Sequence, residues 1–334
     1  MATLFVPGIA WSREWRGIDD LPKRFAPGWG GACVRFPERD IRVAVQFLQT
    51  GRLQLARETW PAGLAAHCTC PAGAVVLGWV MGRPPVARLR GRMVSPGQLF
   101  IALPSDGFQL VALQGLVFFW LAVERDTLER HTQTLWGGEL KPSQRLALND
   151  ADRLPRVWTQ TLAMGLRHPG ALTQPGTALA LEDQLLEALL RSIVPGSDHG
   201  AGAPAQRHRA LQRAVAYLEV HAGEPVTLTQ LCRAVGSSAR PLELAFRECF
   251  DLTPKSYLQL RRLCKARGDL RSLDPAATTV TEIATRWGFF HLGRFAQDYR
   301  RLFGESPRET LYRRSQPARS VTVVKAGPRP QPAA

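Results

Sequence analysis

The chain has 334 residues, of which 43 are Lys or Arg and 28 are Asp or Glu, so its formal net charge is +15. Because 45% of the residues are hydrophobic, the composition excludes a wholly disordered protein, and the length indicates two folded domains. The basic excess indicates a polyanionic partner, either a nucleic acid or an anionic membrane surface.

Nothing in the sequence predicts a membrane segment or a secretion signal. The longest apolar run, at residues 110–123, is shorter than the roughly 20 residues that a bilayer-spanning helix needs. The first residues lack a basic segment followed by an apolar run. Six scattered cysteines fit a reducing compartment, and we therefore expect a cytoplasmic protein.

Short apolar runs separated by turn residues predict a β-rich domain in the first part of the chain. Their length and spacing suggest a sandwich or a cupin-like barrel. The runs lie at residues 41–48, 53–60, 74–81, 98–104 and 108–123. From residue 150 the period becomes helical, and Leu181, Leu185 and Leu189 predict an amphipathic helix that ends at Pro195. This helix either closes the β core or forms a dimer interface.

A change of composition near residue 200 predicts the domain boundary. Residues 195–206 are rich in Pro, Gly and Ala, which is typical of a flexible linker. The net charge is +4 over residues 1–206, +8 over 207–315 and +3 over the last 19 residues. We predict a β-rich domain with closing helices at 1–194, the linker at 195–206, an all-α domain at 207–315 and a disordered basic tail at 316–334.

An internal repeat is the strongest feature of the all-α part. The pattern of an aromatic residue, Arg, Phe, a hydroxyl residue and Pro at residues 246–254 recurs at 299–307, an offset of 53. Upstream of each copy, a Thr stands three residues before Gln or Glu, at Thr227 and Thr279, which is the capping-box pattern of a helix start.

Each cap opens a short helix, predicted at 228–235 and 280–287, that stops at a glycine, Gly236 or Gly288. A second helix follows each glycine. A short helix, a turn with glycine and a second helix form the helix-turn-helix pattern, which this chain contains twice. The overall prediction is an α+β protein whose C-terminal domain holds two helix-turn-helix motifs joined by a linker helix.

The helical period separates an inner from an outer face on each second helix. In the first copy Leu242, Ala245, Phe246 and Cys249 face the core; the outer face carries Arg240, Glu243, Leu244 and Arg247. In the second copy Phe295, Tyr299 and Leu302 face the core; the outer face carries Gly293, Arg294, Gln297, Arg300 and Arg301.

These outer side chains are of the types that read base edges in the major groove. Arg pairs with guanine, Gln with adenine, and Glu accepts from cytosine. Arg247 and Arg300, one turn further along, are better placed for phosphates. Either helix alone is equally well explained as a solvated amphipathic helix, but two copies within the basic region favour double-stranded DNA.

The segment between the copies predicts one long helix, from Pro254 to about Leu273. About 18 residues at ~1.5 Å each give a strut of ~27 Å, which could hold two recognition helices near the ~34 Å that separates successive major grooves. Tyr257, Leu260 and Leu263 are expected inside. The charged positions are expected to be Lys255, Arg261, Arg262, Lys265, Arg267 and Arg271.

Residues 209–313 resemble the C-terminal DNA-binding domain of AraC/XylS-type transcription regulators. That family has an Ala-containing helix, Gly-Phe, an aromatic-anchored recognition helix and Phe-Gly-x-Ser-Pro, which here reads IATRWGFFHLGRFAQDYRRLFGESP at 283–307. The run GLVFFWLAV at 115–123 is similar to the sensor half of ethanolamine-operon-type members.

The resemblance implies base contacts from both recognition helices, adding His291 and Leu292 to the outer faces. Gly293 stands where the family often has Ser, and Gln297 where it often has Arg, so the preferred bases cannot be copied. Pro241 fits only the first turn of a helix, which places the helix start near Ser238 or Ala239. The predicted DNA-binding residues are Ser238, Arg240, Glu243, Leu244, Arg247, His291, Leu292, Gly293, Arg294, Gln297, Arg300 and Arg301.

Enzyme chemistry and metal binding find little support. The cluster at residues 67–70, His-Cys-Thr-Cys, has no second ligand pair nearby, no His-x-His pair occurs, and no Gly-rich loop precedes Lys-Ser or Lys-Thr. We expect no catalytic residue, no metal and no cofactor. Five aromatic residues either line an effector pocket or belong to the core: Trp60, Trp79, Phe118, Phe119 and Trp120.

Two functions from different classes remain. The first is a transcription regulator that binds operator or promoter DNA, responds to a small-molecule effector at its N-terminal domain and contacts RNA polymerase. The second is an architectural DNA-binding protein whose N-terminal domain serves only dimerisation. A homodimer is compatible with both functions.

Overall fold

The computed structural model describes residues 4–17, 26–35, 41–81, 87–94, 96, 98–104, 107–113, 115–138, 140, 146–148, 153–195 and 203–312. The chain divides into two compact units, the first within Met1–Gly200 and the second within Ala201–Ser320. Of the predicted linker, residues 196–202 lie outside the described residues, as does the whole predicted tail at 316–334.

The first unit contains two antiparallel sheets, as the β-rich prediction requires. In the described residues the strands are β1 (Ile9–Arg16), β2 (Gly30–Arg35), β3 (Arg42–Gln49), β4 (Leu53–Trp60), β5 (Ala65–Thr69), β6 (Ala74–Met81), β7 (Ala87–Leu89), β8 (Arg92–Val94), β9 (Gln98–Ala102), β10 (Phe108–Ala112), β11 (Leu116–Glu124), β12 (Leu146–Leu148) and β13 (Ile193–Pro195). One sheet has the order β1-β3-β4-β11-β6-β9-β12-β13 and the other β2-β5-β10-β7-β8.

Strands β4 and β6 coincide with predicted runs, and β3 and β9 differ from theirs by one or two residues at an end. The run at 108–123 contains two strands, because the chain passes from the smaller sheet to the larger one between β10 and β11. Its continuous hydrophobicity follows from burial on both faces. Side chains of β11 alternate between the space separating the sheets, as for Trp120, and the opposite face, as for Phe119.

Helices cover the outer face of the larger sheet. They are α1 (Arg125–Trp136), α2 (Arg153–Arg167) and α3 (Pro175–Ser192), with a 3₁₀ turn at Pro169–Thr173. The leucines of α3 are buried against this sheet, which is the core-closing alternative. The helix ends at Ser192 and the chain continues as β13, so the predicted end at Pro195 was three residues too late. Glu182 of α3 anchors the helix by accepting hydrogen bonds from the Thr50 hydroxyl and the Arg52 backbone N–H.

The second unit is all helical in the described residues. Its helices are α4 (Ala203–Val220), α5 (Leu228–Val235), α6 (Ala239–Phe250), α7 (Pro254–Ser272), α8 (Val280–Arg286), α9 (Leu292–Phe303) and α10 (Pro307–Tyr312). Helix α4 begins within the segment predicted as the linker. Helices α5 and α6 form one helix-turn-helix, α8 and α9 form the other, and α7 joins them.

Candidate nucleic-acid interface

The first helix-turn-helix is fixed by a reciprocal cap at its start and a glycine at its turn. The Thr227 hydroxyl accepts from the Gln230 backbone N–H at 3.2 Å, and the Gln230 side chain accepts from the Thr227 N–H at 2.8 Å. Helix α5 then ends with Gly236 as its C-cap, and glycine adopts the φ of +65° found there without steric strain. Ser238 is the N-cap of α6, so Pro241 falls in the first turn as predicted.

The second helix-turn-helix repeats this arrangement. Thr279 and Glu282 form the same reciprocal cap, with hydrogen bonds of 2.8 and 3.2 Å. Helix α8 ends at Arg286, one residue before the predicted Trp287, and the chain turns at Gly288 with φ of +77°. The hydrogen bond from the Thr279 N–H lowers the pKa of the Glu282 carboxyl.

The predicted inner faces of both recognition helices are confirmed. In α6 the four predicted core residues are buried, and in α9 Phe295 and Tyr299 are buried while Leu302 is partly buried. Because the inner faces are buried, the predicted DNA-binding residues on the outer faces of both helices meet solvent. The exposed ones are Ser238, Arg240, Leu244, Arg247, His291, Leu292, Gly293, Arg294, Gln297, Arg300 and Arg301; Glu243 is half-buried.

Both recognition helices border one cleft of about 780 Å³ within the second unit. Helix α6 contributes Glu243 to its wall, and α9 with its N-cap contributes His291 and Arg294. Lys255 of α7 also lines the cleft. Both recognition helices thus contribute polar residues to the lining of one cleft.

Asp298, which the sequence did not single out, organises the polar face of α9. It is buried and accepts from the Gln259 side chain of α7 at 2.7 Å and from Arg301 at 2.7 Å. The Arg294 Nε atom lies 3.8 Å from Oδ2, the oxygen that accepts from Gln259. The carboxylate thus ties α9 to α7 and restrains two of the predicted DNA-binding arginines. An acid among arginines on a helix face is the signal that could have found it.

Three of the basic residues of α7 that were predicted to supply charge make contacts within the unit, and only one of these three is fully buried. Arg267 is buried and paired with Glu305 at 2.9 Å. Arg261 is paired with Glu219 of α4, and Arg262 donates to two backbone carbonyls, of Ala222 and Glu224. These guanidinium groups hold helices together, because a buried cation needs fixed acceptors.

The pKa directions agree with this structural role. Burial lowers the pKa of Arg262. Burial acts the same way on Arg261, but the hydrogen bond and charge of Glu219 outweigh it and raise the pKa. Burial also raises the pKa of Tyr299, to about 12. Lys255 and Arg271 remain on the surface of α7.

The His-Cys-Thr-Cys cluster at residues 67–70, the candidate for metal binding, lies in the first unit. Cys68 and Cys70 are buried, and the Nδ1 atom of His67 is 2.9 Å from the Gln109 side chain. Within the described ranges, no three His, Cys, Asp or Glu residues are grouped so that they could hold a metal ion. Over the same residues, no helix is both long and apolar enough to cross a membrane.

Comparison with known proteins places the chain among transcription regulators. The family "Helix-turn-helix domain" matches residues 231–313. The probable thc operon regulatory protein of Rhodococcus erythropolis is 37% identical over 202 residues, 57% of this chain and 60% of the relative. XylDLEGF operon transcriptional activator 1 of Pseudomonas putida is 36% identical over 225 residues, 65% of this chain and 67% of the relative.

A solved structure, a probable AraC family transcriptional regulator from Rhodopseudomonas palustris, is 36% identical, covers 30% of this chain and 94% of its own, and has a TM-score of 0.29. The chain belongs to the AraC/XylS family of transcription regulators, whose curated members matched here are regulators and not enzymes. It spans 60 to 67% of the length of the two curated relatives described.

Proposed function

We propose that this protein is a sequence-specific transcription activator that reads its operator with α6 and α9 in successive major grooves. The observation that carries the proposal is the pair of helix-turn-helix motifs in one unit, whose recognition helices bury their apolar faces and expose their basic and amide side chains. The positive charge of residues 207–315 supports the same partner, because phosphate neutralisation supplies much of the affinity for DNA.

The proposed base contacts come from the first two turns of the two helices. Arg240 and Glu243 of α6, and Arg294 and Gln297 of α9, carry the donor and acceptor types that distinguish base pairs in the major groove. Ser238 and His291, as the two N-caps, lie at the ends that enter the groove first. Arg247, Arg300 and Arg301 lie further along their helices, where phosphates are the expected partners.

Base readout and phosphate contact give different results on mutation. Operators would be selected from random duplexes, and affinities of Arg240→Ala and Gln297→Ala measured on every single-base variant. We expect each to lose preference at one position, by ~1–3 kcal/mol, with the two positions about one helical turn apart. Arg300→Ala should weaken all sequences alike and reduce the salt slope by about one unit. Equal weakening on all sequences by the first two variants would refute base readout.

We also propose that an effector acts at the first unit. The aromatic residues weighed from the sequence divide between two faces: Trp79 and Phe119 pack against Trp158 under the helices, whereas Trp60, Phe118 and Trp120 lie between the sheets. There they surround the buried Glu58, whose carboxylate accepts from the indole N–H groups of Trp60 and Trp120 at 2.7 and 2.8 Å. A carboxylate and indoles together suit a polar organic effector.

One observation favours the alternative of an architectural protein without an effector. The space that these aromatic side chains enclose is about 10 Å³, enough for roughly one water molecule. Thermal-shift screening of the full chain with amines, amino acids and aromatic acids separates the two functions. The effector proposal requires a compound that stabilises the first unit and alters DNA affinity; if no compound does either, the architectural function is favoured.

Homodimerisation and contact with RNA polymerase belong to the same proposal. Sedimentation of the full chain with and without operator DNA tests the first. Transcription from a promoter that carries the selected operator, with purified polymerase, tests the second. If the protein binds the operator but neither activates nor represses transcription, the regulatory part of the proposal fails.

A further inference from the structure

An exposed aromatic ring stands at the entrance of the second recognition helix, outside the set of residues predicted from the sequence. Phe290 is 75% exposed in the turn that precedes α9. Its neighbour Phe289 packs on Phe295, with ring centroids 4.8 Å apart, and Gly288 fixes the turn with its positive φ. Of two successive phenylalanines only one can enter the core, so the second is held outward.

Each recognition helix also carries one exposed apolar side chain. Leu292, at the first position of α9, is 40% exposed, and Leu244 of α6 is 41% exposed. Single exposed apolar residues are ordinary on protein surfaces, but here they recur on the two helices that face the cleft. The unit that holds Phe290 is cationic, with a net charge of +8 over residues 207–315, and Lys255, Arg262 and Arg294 line the same cleft as Phe290 against Glu243 and Asp298. Charge complementarity therefore selects DNA over an apolar protein groove as the occupant.

Gly293 gives an independent sign of a close external contact. A Cβ built at this position would meet no atom within 4 Å, and its φ is not in the positive range that requires glycine. Alanine would therefore fit, and it would favour the helix. The protein's own packing does not explain glycine here, whereas close approach of a partner to the backbone does.

We propose that Phe290 reads thymine: its ring packs on the C5-methyl group in the major groove, and Gly293 lets the first turn of α9 approach the base edges closely. The thymine methyl is the apolar group that the major groove offers to such a ring. This inference rests on the proposed DNA-binding function and adds to it the base that the second half-site prefers.

The test removes the methyl group without changing base pairing. Each thymine of the selected operator is replaced in turn by deoxyuridine, and the affinity of the full chain is measured. We expect wild-type protein to lose about fourfold at one thymine of the α9 half-site, the value of one buried methyl group. Phe290→Ala should bind more weakly and be insensitive to the replacement at that position. Val220→Ala, an equally exposed apolar residue at the end of α4, is the matched control and should keep the wild-type profile.

Gly293→Ala separates close approach from a structural role. We expect this variant to unfold at a higher temperature than wild type, because alanine is the better helix former. It should nevertheless lose about fivefold or more in operator affinity, the lower end of what one lost base contact costs. A variant that is more stable and binds the operator as well as wild type would show that Gly293 has no role in the contact.

Two results would overturn the assignment of Phe290. In the first, Phe290→Ala keeps the wild-type deoxyuridine profile. In the second, it keeps full operator affinity but loses transcription activation, which would show that the ring binds a protein. Absence of any selected operator sequence would instead refute the proposed function before this test begins, so the two failures are distinguishable.

Discussion

Replacing Glu305 with alanine removes the carboxylate that faces a buried guanidinium in the second unit. Arg267 of α7 and Glu305, which follows α9, lie 2.9 Å apart, and both side chains are about nine-tenths buried. The same carboxylate accepts from the Thr310 hydroxyl at 2.8 Å, and Thr310 accepts from the Tyr299 hydroxyl at 2.9 Å. The network thus joins the linker helix, the second recognition helix and α10.

The expected cost follows from leaving the cation without its anion. Removing one partner of a buried ion pair costs ~3–5 kcal/mol, because the remaining charge stays desolvated. The contact of Arg267 with the Phe303 ring, 4.5 Å from the centroid, is present before and after the substitution and therefore leaves the lower end of this range as the expectation. We therefore expect Glu305→Ala to lower the free energy of unfolding of this unit by about 3 kcal/mol. Substituting both partners together, as Arg267→Met with Glu305→Leu, should restore most of the lost free energy of unfolding.

Amide hydrogen exchange of the full chain, followed on peptides from α7 and α9, measures the change in stability of these two helices. A loss of about 3 kcal/mol corresponds to roughly 150-fold faster exchange of the slowest amides. Arg300→Ala is the matched control, since it breaks an exposed pair with Glu309 at 3.7 Å and should cost under about 1 kcal/mol. If Glu305→Ala exchanges no faster than this control, or if the double variant is as unstable as the single one, the reasoning from an uncompensated buried charge is refuted.

Three further predictions concern the helix caps and Tyr299. Thr279→Ala should cost about 1 kcal/mol in thermal unfolding, because it removes the N-cap of α8. The Glu282 pKa is lowered in the folded state, so its capping contribution is present at neutral pH and disappears as the pH falls through that lowered value. Glu282→Gln should remove this acid dependence in pH-dependent unfolding and keep the cap, as Gln230 does in the first copy. Burial raises the Tyr299 pKa to about 12, so folded stability is lost as the pH rises from about 10 toward 12, and Tyr299→Phe should diminish that loss.

Local signals located α5, α7 and α8 of the second unit to within about one residue. The two capping boxes and the two turn glycines marked the starts and ends of α5 and α8 because caps depend on side chains within a few positions of each other. In the first unit the predicted apolar runs correspond to β3, β4, β6, β9, β10 and β11, whereas β1, β2, β5 and the three-residue strands β7, β8, β12 and β13 were missed. Charged and small residues interrupt these strands, so their pattern depends on which sheet face each residue meets.

The candidate interface was predictable as far as the helical period determines which side of a helix is buried. That period placed Arg240, Gln297 and their neighbours outside, and all are exposed or half-exposed. It did not distinguish Arg267 from Arg271 on α7, because both lie on a charged helix and only the packing of α9 and α10 buries one of them. It also missed Phe290, whose exposure follows from Phe289 taking the available place in the core.

The sequence by itself determined the duplicated helix-turn-helix units, their caps and the distribution of charge, because these depend on neighbours within a few residues. Tertiary structure decided which basic groups are enclosed within the unit and which stay exposed. Arg261 and Arg267 carry the same charge as Arg294 and Arg300, yet they bind partners 32 to 42 residues away in the chain, whereas Arg294 and Arg300 are exposed. Whether a long basic side chain binds within the protein or stays exposed depends on partners that are distant in the sequence and become neighbours only on folding.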